Sequence, residues 1–216
     1  MDATLLLLAD SRLPAGAHVH SGGVEAAVGR GLVIDLSSLE EFLRGRLRTV
    51  GLTSAGLAAA ACAGWDVAEL DREADARTPV PGSRTASRTQ GRSLLRAAAA
   101  AWPSPTYAML GERPHHAIAL GVVVRVATGG PAEAALVAAY NAVTGPAAAA
   151  VRLLGLDPLA VNATLARLAT HIEETAEQSV GAVSGGRLPR ATSPMLDILA
   201  AGHHSAADRN EVTLFA

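Results

Sequence analysis

Residues 157–180 read DPLAVNATLARLATHIEETAEQSV, and this stretch decides the fold class. Asp157 followed by Pro158 is an N-cap residue ahead of a first-position proline, whose missing N–H falls where a helix has no acceptor for it. Val161, Leu165, Leu168, Ile172, Ala176 and Val180 then recur at three- and four-residue spacing, while Arg167, Glu173, Glu174 and Glu177 lie mostly elsewhere. That spacing predicts one amphipathic helix with a single face on a core.

Upstream, the same punctuation repeats. Pro131 opens a helix that breaks at Gly145-Pro146 and resumes to Leu154, and Pro114 opens another that ends near Gly129-Gly130. A helix from about Arg84 to Trp102 stops before Pro103. Ser38 with Glu41 three residues on reads as a capping box, with Leu39, Phe42, Leu43 and Leu47 behind it, so a helix runs from Leu39 to near Val50. A second covers about Leu52 to Ala63 and ends at Gly64; a short helical pattern begins near Val24. Residues 66–83 turn from charged to Pro- and Gly-rich and read as a flexible connection, with a loop at about 76–83. Residues 184–194 form a loop, a last short helix covers about Met195 to Gly202, and a polar tail from about 203 ends in Leu214 and Phe215. Val122 to Val126 is the one contender for a strand, and its Ala-rich flanks favour helix. The expectation is an all-α, single-domain bundle of about 8–10 helices over residues 1–216.

Composition narrows the function. Half of the 216 residues are hydrophobic but only 3% aromatic, so the core is built from Ala, Leu and Val, which suits closely approaching helices. All 18 basic residues are Arg, and a net charge of -2 removes the broad attraction that general nucleic-acid binding needs. Cys62 is the single cysteine and lies in an Ala-rich run, so it reads as inert core in a reduced, cytoplasmic setting. The Met-Asp start lacks a basic region and argues against a secretory signal. Residues 134–151 are uncharged, yet Asn141, Thr144, Gly145 and Pro146 mark a buried helix and no membrane span.

One segment stands apart: residues 9–25, ADSRLPAGAHVHSGGVE, polar and Gly-rich in a chain of alanine and leucine. Pro14 fixes φ, and Gly16, Gly22 and Gly23 admit backbone conformations closed to other residues, so the segment reads as a shaped loop that carries function. Within it, His18 and His20 would both reach a metal from an extended backbone, although two imidazoles do not complete a tetrahedral site and bonding within the loop is the plainer role. A metal-binding protein or metal-dependent hydrolase using this pair stays open as an alternative, as does a helical ligand-binding domain with no assembly role. The adjacent pairs His115-His116 and His203-His204 point about 100° apart on a helix, read as exposed near helix ends, and receive no role.

Nucleotide chemistry has no motif here. No Gly-x-Gly-x-x-Gly follows a strand, and the phosphate loop that ends in Lys-Ser/Thr cannot occur without lysine. No nucleophile elbow is present either, so no catalytic residue is assigned. Arg84, Arg88, Arg92 and Arg96 recur every four residues along one helix face, where like charges cost an isolated helix roughly 0.2–0.5 kcal/mol per pair. Acidic neighbours from residues 66–75 would compensate them, or an acidic partner surface or phosphate-bearing ligand would.

Taken together, Asp10, Pro14, Gly16, His20, Ser21, Gly23 and Glu25 closely resemble the N-terminal signature of the UreF-type urease accessory proteins. The pattern Arg84-x-Ala-Ser87-x-x-Gln90-Gly91-Arg92-x-Leu-Leu95 is similar to that family's central helix, residues 151–156 to the segment before its long late helix, and Ser193-Pro194 through Asp197 to Leu214-Phe215 to its ending. The resemblance implies an all-α protein that dimerises, joins a UreD/UreH-type accessory protein and the GTPase UreG, and takes part in delivering nickel to apo-urease. It further implies that nickel and GTP are handled by the partners, with no cofactor bound stably by this chain. On the same footing, residues 10–25 become partner-contact candidates and Leu214 and Phe215 become the docking end for the UreD-type protein, while Arg88 and Arg92 are partner-contact candidates on the spacing of the arginine stripe alone.

Overall fold

Ten α-helices make up most of residues 3–10 and 21–191, the part of the chain that this computed structural model describes. The all-α expectation therefore holds, and residues 122–126 lie inside a helix. In chain order the helices are α1 (Ala3–Ala9), α2 (Val24–Gly29), α3 (Leu36–Arg46), α4 (Leu52–Cys62), α5 (Val67–Arg77), α6 (Pro81–Ala101), α7 (His116–Val126), α8 (Pro131–Leu154), α9 (Pro158–Arg167) and α10 (Ala169–Ser184). A 3₁₀ segment, Pro105–Leu110, which the sequence did not announce, joins α6 to α7.

The centre is α4, which packs on α7, α8 and α10. From Ala55 to Cys62 every one of its residues is buried, and five of those eight are alanine. Each buried methyl contributes little, about 0.8 kcal/mol, so such a core gains cohesion by bringing backbones close and multiplying dispersion contacts. Gly121 of α7 shows how close: a Cβ there would lie 2.2 Å from the Ala58 carbonyl oxygen. The helix ends as its sequence requires. Gly64 takes φ +89°, its amide donates to Ala61 O, and the Trp65 amide reaches back to Ala60 O, closing the turn with two bonds. Cys62 is buried at the same end, and burial pushes its thiol up to about 11.

Five expectations from the sequence need correction. The cap of α3 is Asp35, three residues earlier than expected: its carboxylate accepts from the Ser38 amide at 2.8 Å, while Ser38 Oγ accepts from the Asp35 amide at 3.1 Å. Ser38 thus closes the box from its third position. Next, α3 and α4 are joined, because the π-helical turn Leu47–Gly51 carries the chain from one into the other. The charged part of the supposed connection is α5, capped by Asp66, with Leu70 and Ala74 four residues apart buried beneath its charges. Only Thr78, Pro79 and Val80 connect it to α6, where Pro81 takes the first position.

The other two corrections concern long helices. α8 runs without a break through Gly145-Pro146. Conversely, the stretch 157–180 is two helices, since Leu168 with ψ −4° leaves the helical path and its amide is shared between Thr164 O and Leu165 O. The bend lets α9 pack on α3 and α8 while α10 packs on α4 and α8. Arg167 at the end of α9 holds Glu40 of α3 at 2.8 Å.

By length and composition α8 is the one described helix able to cross a membrane, but more than half of its apolar window is buried inside the fold. It is the core helix that the sequence predicts.

Candidate functional site

The apolar bundle opens at one corner into a cleft of about 210 Å³. Its polar lining comes from far apart in the chain: Asp10 at the end of α1, Gly22 ahead of α2, Gln90 on α6, His116 on α7, and Asn141 and Arg152 on α8. Asp10 and Gly22 belong to the N-terminal segment singled out above, Gln90 to the central pattern and Arg152 to the late one. Three patterns separated by dozens of residues in sequence therefore meet at one place.

The floor of this corner is organised by a residue that sequence reasoning missed. Arg46, the last residue of α3, is only 8% exposed. Its Nε donates to the Ala142 carbonyl at 2.9 Å, and its Nη1 donates to the Gly22 carbonyl. The first bond explains the unbroken α8. Proline has no N–H, so Pro146 leaves the carbonyl four residues back without its helical donor, and a proline inside a helix costs about 3 kcal/mol on that account and through ring crowding. Ala142 is that residue, and Arg46 supplies the missing donor. No sequence pattern announces such a pairing, because the two residues are nearly a hundred positions apart.

Gly22 and Gly23 follow with φ +59° and +88°, as the sequence suggested for glycines at this turn. A Cβ at Gly22 would lie 2.8 Å from Pro146 Cγ and 3.1 Å from Arg46 Nη2, so the position lacks space as well as a side chain. Gly23 occupies the N-cap position of α2, Ser21 before it is 7% exposed, and Glu25 stands half-buried in the first turn. Of the remaining candidates, Pro14, Gly16, His18 and His20, together with Leu214 and Phe215 and the pair His203-His204, lie outside the described residues.

The central pattern resolves into separate tasks. Gly91 lets α6 cross the start of α7, since a Cβ there would meet the Pro114 carbonyl at 2.1 Å. Ser87 Oγ accepts from the His116 amide at 3.2 Å, satisfying an N–H that the first turn of α7 leaves open. His115, expected at the surface, is 2% exposed and corrects that reading. Its Nε2 lies 2.9 Å from Asp75 Oδ1 and its Nδ1 lies 3.0 Å from Ser87 Oγ. A carboxylate only accepts, so Nε2 donates to Asp75, and Ser87 Oγ holds the other ring nitrogen. Burial raises the Asp75 carboxyl, but the hydrogen bonds from His115 and Arg88 outweigh it and hold the group below its ordinary value.

The arginine stripe divides. Arg88 forks onto Asp71 at 2.7 and 3.1 Å and reaches Asp75 at 2.9 Å, and Asp71's hydrogen bonds hold its guanidinium above the ordinary value. Acidic neighbours on α5 thus compensate it, one of the two possibilities that the spacing left open. Arg92 and Arg96 are exposed on the outer face of α6 and form no ion pair among the described residues.

Comparison with known proteins points one way. A family profile described as UreF matches residues 33–169. The chain is 49% identical over 210 residues to the urease accessory protein UreF of Mycobacterium marinum, covering 96% of each. It is 49% identical over 201 residues to the protein of that name from Mycobacterium sp. strain JLS, and 46% identical over 202 residues to that of Mycobacterium tuberculosis, with 93% of each chain covered in both cases.

Proposed function

The chain belongs to the UreF family of urease accessory proteins, and from that premise we propose that it is an adaptor in the nickel-dependent maturation of urease. In this reading it bridges a UreD/UreH-type protein and the GTPase UreG in the cytoplasm, as a homodimer, and modulates GTP-dependent delivery of nickel to apo-urease. Nickel is cargo and GTP is the partner's ligand. The family is one of accessory proteins, not of enzymes.

One observation supports the reading most: three of the four sequence patterns that carry the family resemblance converge on the lining of a single cleft, at Asp10 and Gly22, Gln90 and Arg152. A surface assembled from distant segments is sensitive to their relative placement, which is what recognition of a folded partner demands. Arg92 and Arg96 add an exposed positive face on α6, next to Gln90 in sequence, that suits an acidic partner surface.

Co-purification with the UreD-type and UreG-type partners, followed by urease activation, tests this directly. The wild-type chain is expected to capture both. Gly23→Arg, which forces a large side chain onto a φ of +88° at the start of α2, is expected to abolish activation. A chain that captures neither partner, or a folded Gly23→Arg variant that activates urease normally, overturns the reading. Equilibrium dialysis against nickel adds a separate check: tight one-to-one binding by the isolated chain would replace the adaptor with a metal carrier.

A further inference from the structure

We propose that Arg46 is a positioning residue for partner assembly: one guanidinium repairs the proline-interrupted helix α8 and, with a second N–H, fixes Gly22 and the start of α2 at the cleft rim. This rests on the adaptor reading above and deepens it by naming the group that holds the contact surface in register.

The argument begins with two carbonyls that lack ordinary partners. Ala142 O has lost its helical donor to Pro146, and Gly22 O belongs to the first residue of the left-handed pair, Gly22-Gly23, that turns the chain into α2. Arg46 donates to both, with Nε at 2.9 Å from Ala142 O and Nη1 on Gly22 O. Guanidinium N–H groups sit in one rigid plane, so the two carbonyls are held at a fixed separation and angle. The Pro146 ring and the Arg46 guanidinium both crowd the place where a Cβ on Gly22 would stand, at 2.8 and 3.1 Å. Arg46 stands immediately before the π-helical turn Leu47–Gly51 that leads into α4. Its side chain reaches α8 and Gly22, while residues 55–62 of α4 are buried in the core. Thus one side chain ties α3 and α8 to the turn that leads into α2, and Asp10, Gln90 and Asn141 line the same cleft.

Folding and positioning can be separated because Pro146→Ala restores the missing N–H. In Arg46→Ala alone both carbonyls lose their donor. In Arg46→Ala combined with Pro146→Ala, the Ala142 carbonyl is bonded again within the helix and only the Gly22 tether is absent. The experiment compares the double variant with Pro146→Ala, reading melting temperature and affinity for the UreD-type and UreG-type proteins. The double variant is expected to melt above Arg46→Ala and below Pro146→Ala, since only the Gly22 carbonyl then lacks a donor, and to bind the partners about tenfold more weakly or worse. Undiminished affinity in the double variant overturns the positioning role. A double variant that melts as low as Arg46→Ala also overturns it, because the helix repair would then not be what Arg46 supplies. A wild-type chain that binds neither partner removes the adaptor reading, and this inference with it.

Discussion

Two helix contacts in this molecule solve opposite problems. Where α7 crosses α4, Gly121 lies on the Ala58 carbonyl, the neighbouring side chains are methyls, and the contact holds because nothing larger is there. Where α3 meets α8, the contact holds because a large charged side chain is there: Arg46 fills the vacancy that Pro146 makes in the hydrogen-bond ladder. The first contact is limited by volume and the second by donors. The alanine-rich crossings hold no buried arginine, and the polar corner lies at the cleft, where the chain's patterned segments meet.

The sharpest way to break this contrast is to add volume to the dry crossing. Gly121→Val puts atoms where 2.2 Å is left, and it is expected to destabilise by about 3 kcal/mol or more, read as a lower urea midpoint. Second in size is Arg46→Ala, which leaves two carbonyls without a donor beside the cleft; about 2 kcal/mol is expected in the same measurement. Were Gly121→Val silent and Arg46→Ala severe, polar satisfaction rather than close packing would set the stability of the bundle.

A smaller effect lies at a second polar contact, where Asp75 joins His115 and Arg88. Its carboxyl is held below the ordinary value of 3.8, so its contribution is whole above that value and is lost as the pH falls through the lower native one. Asp75→Asn is therefore expected to lower the melting temperature near neutral pH, with the deficit shrinking toward zero on acidification below about pH 4. A deficit that does not change with pH would mean that shape, not charge, matters at that site. Smallest of all, Arg92→Glu with Arg96→Glu is expected to change stability by no more than about 0.5 kcal/mol, since both side chains are exposed. Loss of UreG-type or UreD-type binding in that folded variant would place a partner on the outer face of α6.

The reading of residues 157–180 was right about the apolar face and wrong about continuity, and the reason is general. Periodicity reports which side of a segment is buried but not against which neighbour, and Leu168 bends because α9 and α10 serve different ones. α5 was hidden for a related reason: its charges look like a linker's, and only the burial of Leu70 and Ala74 against the rest of the molecule reveals a helix. At the site, Gly22 and Gly23 were legible because a left-handed backbone needs glycine whatever surrounds it. His115 was not, because a histidine's burial depends on partners supplied by α5 and α6.

By itself the sequence determined the helical class, the Ala-lined core, the proline-marked helix starts and the segment that bears the family signature, since each follows from local backbone chemistry or the spacing of side-chain types. Only the tertiary structure decided that Gly145-Pro146 would not end α8, that Arg46 would join it to Gly22, and that three distant patterns would share one cleft. Those are pairings between groups far apart along the chain, and a carbonyl without its donor can be matched to a guanidinium only after folding has brought the two within hydrogen-bond reach.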